Sequence, residues 1–476
     1  MPEAGLPHSL GATDSWPLHF FPSEPPTRLF KGNKVSTDHK FETKQIHAGQ
    51  VPDPTTGSRA LPIHQTTAFV FDSAEQAADR FALRELGPIY TRLNNPTTEV
   101  VEERIAALEG GVGALLVASG QSATTLAILN VAGAGDQIVA SASLYGGTHN
   151  LLTHTLKKLG IEVTLVEDAN NPEAWLAATG PNTKAFFAES IPNPKGDILD
   201  IEAVAEAAHS FGVPFIVDNT IASPYLIRPL EWGADIVVHS ATKYLGGHGT
   251  AMGGVIVDGG TFDYSAYPER FPGFNEPDPT YNGIIYAKDL GKDGAFGVNL
   301  SYILKSRVQL LRDLGTSISP FNSFLLAQGI ETLSLRMERH VENTEKVARY
   351  LADHPDVLEV TYAGLPESPY FELAKKYSPK GAGAVLTFEI KGGEEAGKAF
   401  VSGLKLHSNV ANIGDVRSLV VHPASTTHSQ LNPEEQRKAG VAPGLVRLSV
   451  GLEHIDDILA DLDLGFEAAA TAVEEK

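Results

Sequence analysis

From residue 97 onward, short apolar runs alternate with segments whose apolar residues recur every three or four positions. The runs Gly113–Ala118, Gln137–Ala140, Glu162–Val166, Ala185–Ala188, Pro214–Val217 and Asp235–His239 read as buried strands. Between them, Thr97–Leu108 carries Val101, Ile105 and Leu108 on one face, and Ile201–Phe211 carries Ile201, Val204, Ala205, Ala208 and Phe211. These two, with Ser122–Asn130 and Gly147–Leu159, read as helices. Strands that alternate with helices in this way predict a mostly parallel sheet covered on both faces. Further on, Leu333, Met337, Val341, Thr344, Ala348 and Leu351 form the stripe of a long helix. Strands near Leu358–Tyr362 and Ala384–Ile390 and a closing helix Ile455–Phe466 complete the pattern. The expected fold class is α/β, a large domain with a mostly parallel sheet followed by a smaller C-terminal α+β domain.

Before residue 97 the pattern is weaker. Residues 1–40 are rich in Pro, Gly, Ser and charge and lack apolar periodicity, so a flexible arm is expected there. Residues 41–81 are punctuated by Pro52-Asp53-Pro54 and Thr56-Gly57 and read as an extended segment lying on the surface of a neighbouring subunit. The expected division is thus 1–40, 41–81, 82–325 for a cofactor domain and 326–476 for a substrate domain.

Composition narrows the partners. The chain has 476 residues, 42% hydrophobic and 20% charged, with a formal net charge of −21. Such an acidic balance disfavours nucleic acid and anionic membranes, which call for a basic patch. No apolar run approaches the roughly 18 residues of a membrane span, and no apolar leader opens the sequence, so a cytoplasmic location is expected. With no cysteine there is no disulfide, thiolate zinc site or cysteine nucleophile. The 16 histidines include no His-Glu-x-x-His pair, and no metal site is expected.

The polar residues of interest follow the strands, at the carboxyl ends where an open α/β sheet gathers its ligands. Lys243 lies in Ser240-Ala241-Thr242-Lys243-Tyr244, and Asp218 closes Phe215-Ile216-Val217-Asp218. A lysine amine that condenses with an aldehyde and a carboxylate that keeps a pyridine nitrogen protonated are what pyridoxal phosphate (PLP) needs. Ser119-Gly120-Gln121 opens a helix whose N–H groups suit a phosphate. Tyr145, before Gly146-Gly147, offers a flat ring, and Asn193 in Glu189-Ser190-Ile191-Pro192-Asn193-Pro194 offers a donor to a phenolic oxygen. Each has an ordinary reading taken singly: a turn glycine, a packed ring, an Asn-Pro turn, a helix cap, a solvated lysine. Together, five strand ends each supply a group that one PLP molecule requires.

These residues sit among longer runs, including His47-Ala48-Gly49-Gln50, Ile89-Tyr90-Thr91-Arg92, Asn95-Pro96-Thr97, Ala107-Leu108-Glu109-Gly110-Gly111 and Val217-Asp218-Asn219-Thr220. His422-Pro423-Ala424-Ser425-Thr426-Thr427-His428 and Val446-Arg447-Leu448-Ser449-Val450-Gly451 follow. From about Phe41 to the carboxyl terminus the chain resembles the PLP-dependent transsulfuration enzymes of cysteine and methionine metabolism, which have the PLP-dependent transferase fold type I. The resemblance implies that Lys243 holds PLP and shuttles protons, with Tyr145 stacked on the ring as a second catalytic group. It implies that Asp218 pairs with the pyridine N–H, Asn193 meets the 3′-oxygen, and Gly120, Gln121, Ser240 and Thr242 bind the phosphate. Tyr90 and Arg92 would reach the phosphate of a neighbouring subunit, in a homotetramer built as a dimer of dimers. Arg447, aided by Ser418, would grip the substrate carboxylate. The stretch from His422 to His428 points to the branch that replaces the acetate of O-acetyl-L-homoserine by sulfide in methionine biosynthesis. Cysteine or water as acceptor, and the succinyl ester as donor, stay open within the family. Two positions depart from its pattern: His64, where many members have Tyr, and Asn282, where many have His.

Overall fold

The computed structural model describes residues 39–427, 429, 432 and 440–474. All but two residues of the expected arm, together with His428, lie outside the described residues.

The first helices are α1 (Phe41–His47), α2 (Ala74–Phe81) and α3 (Pro96–Glu109). Asn95 starts α3 by accepting the Thr97 N–H, with Pro96 in the first turn where its missing donor costs nothing, and Gly110 ends it in the left-handed conformation. After α3 come β1 (Gly113–Val117), α4 (Gly120–Leu129), β2 (Gln137–Ser141), a short helix α5 (Gly146–Asn150), β3 (Glu162–Val166) and β4 (Thr183–Glu189). The helix Ile201–Phe211, β5 (Phe215–Asp218), β6 (Ile236–Ser240) and β7 (Gly254–Asp258) follow. These seven strands make one sheet in the order β1-β7-β6-β5-β4-β2-β3. All neighbours are parallel except β7, which runs antiparallel to both β1 and β6. The strand interiors, such as Ile216, Val217, Val237 and Phe187, are fully buried, because helices cover both faces.

The second sheet has five strands: β8 (Val357–Thr361), β9 (Val385–Ile390), β10 (Ser408–Asn409), β11 (Leu419–Val421) and β12 (Leu445–Ser449), ordered β10-β11-β12-β9-β8. The long helix Leu333–Ala352 and the closing helix Ile455–Glu474 pack on it. The final helix runs a further two turns past Phe466, its expected end.

Residues 41–81 are not extended throughout, which corrects the sequence reading. α1 is docked on its own chain: buried Gln45 exchanges two hydrogen bonds with Ser334 (2.9 and 3.0 Å), and Arg104 Nε donates to the Ala48 carbonyl at 3.1 Å. At seven residues α1 is too short to show periodicity, and its one buried residue is the polar Gln45, with Phe41 alone packing a ring on Tyr225, so no apolar pattern could reveal it. α2 is capped by Ser73, which accepts the Gln76 N–H. Between the two helices the chain is irregular and largely exposed, Val70 to 93%.

Of the strands that sequence reasoning did not place (β7, β10, β11 and β12), β7 shapes the cofactor corner. Val255-Ile256-Val257 is short and follows Gly253-Gly254, which reads as a turn. In the sheet, Gly254 pairs with Val117 on one side and Ser240 on the other. A Cβ on Gly254 would stand 1.9 Å from the Ser119 carbonyl oxygen. The glycine therefore lets the turn after β1 close down over the sheet beside the end of β6. Gly254→Ala should push that turn away, cost about 1–3 kcal/mol of stability as overpacking does, and weaken PLP binding at least about tenfold. Cofactor titration and thermal melting measure both. Unchanged affinity would show that the turn does not depend on this glycine.

Candidate active site

The carboxyl ends of β1 and β6 lie side by side because both flank the antiparallel β7. Ser119 caps α4 by accepting the Ser122 N–H, and the free N–H groups of the first turn point out of the helix end. A Cβ on Gly120 would stand 2.6 Å from Ser240 Cβ, so the helix start is pressed against the end of β6. Ser240 N–H donates to Thr220 Oγ1 at 2.8 Å, and Thr242 Oγ1 exchanges hydrogen bonds with the main chain of Gly253 (3.1 and 3.2 Å). Four predicted phosphate residues, Gly120, Gln121, Ser240 and Thr242, thus share one corner. Buried Gln121 Oε1 has no hydrogen-bond partner among the described residues. A helix N-terminus, a glycine cradle and small hydroxyls fit a phosphate group.

Next to this corner are two carboxylates. Asp218 and Glu189 are directly opposed in the register of β5 and β4. Asp218 Oδ1 accepts the Thr220 N–H at 2.9 Å, and Glu189 Oε1 accepts the Tyr145 N–H at 2.6 Å. Burial pushes both carboxyls up, and the Asp218 charge pushes Glu189 further, whereas Thr220 and His239 favour the ionised form of Asp218. Two adjacent buried carboxylates make a site in which a cationic ring N–H is welcome. The Tyr145 ring is 51% exposed and lies over Gly147, where a Cβ would stand 2.5 Å from its Cε1. The same imaginary Cβ would stand 2.7 Å from Gln121 Nε2, so ring and amide wall one side of the phosphate corner. The residues present fit PLP.

Lys243 follows β6 and its amine donates to Asn412 Oδ1. Burial, then the nearby Arg447 charge, lowers the lysine's pKa. Arg447, on β12 and only 7% exposed, donates from Nη1 to Asn193 Oδ1 (3.1 Å) and from Nη2 to the Asn412 carbonyl (3.0 Å). Its Nε has no partner among the described residues, and burial lowers its pKa to about 10. The Asn193–Pro194 peptide bond is cis. The structure thus joins the predicted lysine, asparagine and arginine through a residue that sequence reasoning missed. Asn412 follows no long strand and belongs to no apolar pattern. The available signal was Gly414, whose φ of +72° and close approach (an added Cβ would be 2.8 Å from Tyr244 N) lay this loop on the main chain of Lys243 and Tyr244.

The remaining predicted residues stand elsewhere. Ser418 is fully buried, with its hydroxyl donating to Glu453 Oε2 (2.9 Å) and accepting the Gly451 N–H (2.9 Å). In place of the expected direct aid to Arg447, this hydroxyl braces the turn after β12. Tyr90 and Arg92 lie together on an exposed segment, the guanidinium 5.4 Å from the ring centre. Neither makes a hydrogen bond or ring contact to the Lys243 group among the described residues. His422 Nδ1 meets Ser425 Oγ and Nε2 meets the Pro443 carbonyl, both at 2.8 Å, so its ring ties the following loop to β12. The departure at His64 leaves its main chain anchored, the N–H on Thr97 Oγ1 and the carbonyl on Asn95 Nδ2 (both 2.9 Å). Asn282 has φ +55° in an exposed turn before Gly283, a conformation that asparagine adopts more readily than most residues.

Comparison with known proteins places this geometry. Residues 42–467 match the family model described as Cys/Met metabolism PLP-dependent enzyme. The chain is 58% identical over 431 residues to O-acetyl-L-homoserine sulfhydrylase of Corynebacterium glutamicum, covering 90% of this chain and 97% of that one. It is 56% identical over 434 residues to the Leptospira meyeri protein of the same name (91% and 98%). A solved structure from Campylobacter jejuni, described as an O-acetylhomoserine (thiol)-lyase with N′-pyridoxyl-lysine-5′-monophosphate, superposes with a TM-score of 0.85. That alignment has 41% identity and covers 90% of this chain and all of the other. The fold is that of the PLP-dependent transferases of type I, and the chain belongs to the PLP-dependent enzymes of cysteine and methionine metabolism.

Proposed function

We propose that this enzyme replaces the acetate of O-acetyl-L-homoserine by sulfide, giving L-homocysteine for methionine biosynthesis. The observation that carries the reading is the hydrogen-bonded chain Lys243–Asn412–Arg447–Asn193, which sets a carboxylate-binding fork beside the cofactor lysine. Relatives at 56% and 58% identity over nine-tenths of the chain, both named O-acetyl-L-homoserine sulfhydrylase, support the substrate.

Bound through Lys243, PLP supplies a sink for the negative charge that develops at the substrate's Cα. The residues of the chain do the rest. Asp218, whose ionised form the Thr220 hydrogen bond favours against the upward push of burial, would pair with the ring N–H and keep it protonated, while Gly120, Gln121, Ser240 and Thr242 would hold the phosphate and Tyr145 would stack on the ring. Arg447, with one N–H of Nη1 and one of Nη2 engaged, would offer Nε and an adjacent free N–H to the α-carboxylate, so that the amino acid arrives in one orientation. Asn193, which already holds the fork, meets the cofactor's 3′-oxygen. Lys243, whose pKa burial and the Arg447 charge lower, would take the Cα proton and return protons along the side chain as acetate leaves Cγ and sulfide adds. Residues 82–325 form the cofactor unit in this reading and 326–476 the substrate unit, with Ser418 bracing the turn that follows β12, the strand of Arg447.

Tyr90 and Arg92, exposed and without a hydrogen bond or ring contact to their own lysine group among the described residues, fit a contribution to the site of a second copy. We therefore place the enzyme in a cytoplasmic homotetramer assembled as paired dimers. No helix among the described residues is long and apolar enough to cross a membrane. Purified protein assayed with O-acetyl- and O-succinyl-L-homoserine, against sulfide, cysteine and methanethiol, tests the reading. The acetyl ester with sulfide should give the highest kcat/KM. A preference for cysteine, or turnover with water alone, would move the enzyme to another reaction of its family.

A further inference from the structure

In the proposed reaction Lys243 leaves the cofactor whenever substrate takes its place, and its amine then needs a resting partner. Nζ donates to the side-chain oxygen of Asn412, whose main-chain carbonyl accepts from Arg447 Nη2. The loop carrying Asn412 cannot drift away. Gly414 packs against Tyr244 N with no room for a Cβ and donates its N–H to Ser449 Oγ at 3.1 Å, next to β12's Arg447. The acceptor is neutral, and this is chemically specific. An amide oxygen accepts from a charged or an uncharged amine, whereas a carboxylate there would hold the proton on.

We propose that Asn412 is a positioning residue for the reaction: it holds the released Lys243 amine at the substrate clamp and, as a neutral acceptor, favours the protonated form far less than a carboxylate would. The inference rests on Lys243 being the cofactor lysine. The titratable groups around the site are Arg447 on β12, Tyr244 beside the lysine, Tyr145 ahead of α5, Asp218 at the end of β5 and Glu189 at the end of β4. Arg447 is the charge that acts on the amine, in the same direction as burial.

The test uses the full chain stripped of cofactor, with the rate of PLP re-uptake followed by its lysine-bound absorbance across pH. Competitive acylation of Lys243, read by peptide mass spectrometry, gives the amine's titration without cofactor. With Asn412→Asp the midpoint should rise by about one to three pH units, because an opposite charge favours the protonated amine. With Asn412→Ala it should fall, because the charged amine loses its acceptor, and re-uptake should slow severalfold. Opposite shifts cannot come from general loosening, which would move both variants the same way. Should Asn412→Asp fail to fold, the downward shift in Asn412→Ala decides alone. Midpoints equal to the parent's in whichever variants fold would overturn the proposal. Lys243→Ala protein that still shows lysine-type absorbance would instead overturn the assignment of the lysine, so the two failures are distinguishable.

Discussion

Lys243→Ala will abolish the visible absorbance of lysine-bound cofactor and lower turnover by at least about a thousandfold. The size follows from what the amine does. Positioned proton transfer alone is worth about 10²–10⁴-fold, and Lys243 also supplies the covalent tether. The surroundings make substitution by another group ineffective. Burial and the Arg447 charge lower the pKa of the amine, and Arg447, which stays protonated and is held by Asn193 and Asn412, has no lone pair with which to serve as a base. Spectra and single-turnover assays on purified protein measure the effect, with circular dichroism as the control for folding. PLP should still bind the variant weakly, since the phosphate corner at Gly120, Gln121 and Ser240 does not involve the lysine side chain. Turnover within tenfold of the parent would remove Lys243 from the mechanism.

The sheet that holds this site was legible because its inner strands are buried on both faces and appear as largely apolar runs, and because Ile201–Phe211 has a periodic stripe. The carboxyl-end rule then picked out Ser119-Gly120-Gln121, Tyr145, Asn193, Asp218 and Lys243 from neighbouring strands. What stayed hidden has two physical causes. α1 is anchored by polar contacts from Gln45 and the Ala48 carbonyl, which leave no hydrophobic pattern. β7 and the loop at Asn412 are placed by close approach at Gly254 and Gly414, and a glycine that permits contact looks the same in sequence as one that permits a turn. Both omissions fall where backbone meets backbone at the cofactor. The Arg447 assignment came from the family resemblance, since an arginine in an apolar strand has no periodic signature, and its partners could be known only from the fold.

Those partners set the second large effect. Arg447→Lys should lower kcat/KM for O-acetyl-L-homoserine by about 10²–10³-fold while the cofactor absorbance persists. Truncating one member of a buried, hydrogen-bonded charge contact costs about 2–5 kcal/mol, and a lysine cannot replace a planar fork that bonds Asn193, Asn412 and a carboxylate at once. Most of the loss should appear in KM if the fork grips ground and transition states alike, and in kcat if it aligns Cα with the Lys243 amine. Arg447→Met separates grip from charge. Without the cation, the Lys243 amine loses a neighbour that disfavours its protonated form, so its pKa rises and less of it is uncharged at neutral pH. The alkaline shift of the acidic limb of the pH profile should therefore be present in Arg447→Met and absent in Arg447→Lys, which keeps the charge. Kinetics across pH on both variants measure this, and equal profiles would mean that Arg447 binds substrate without tuning the lysine.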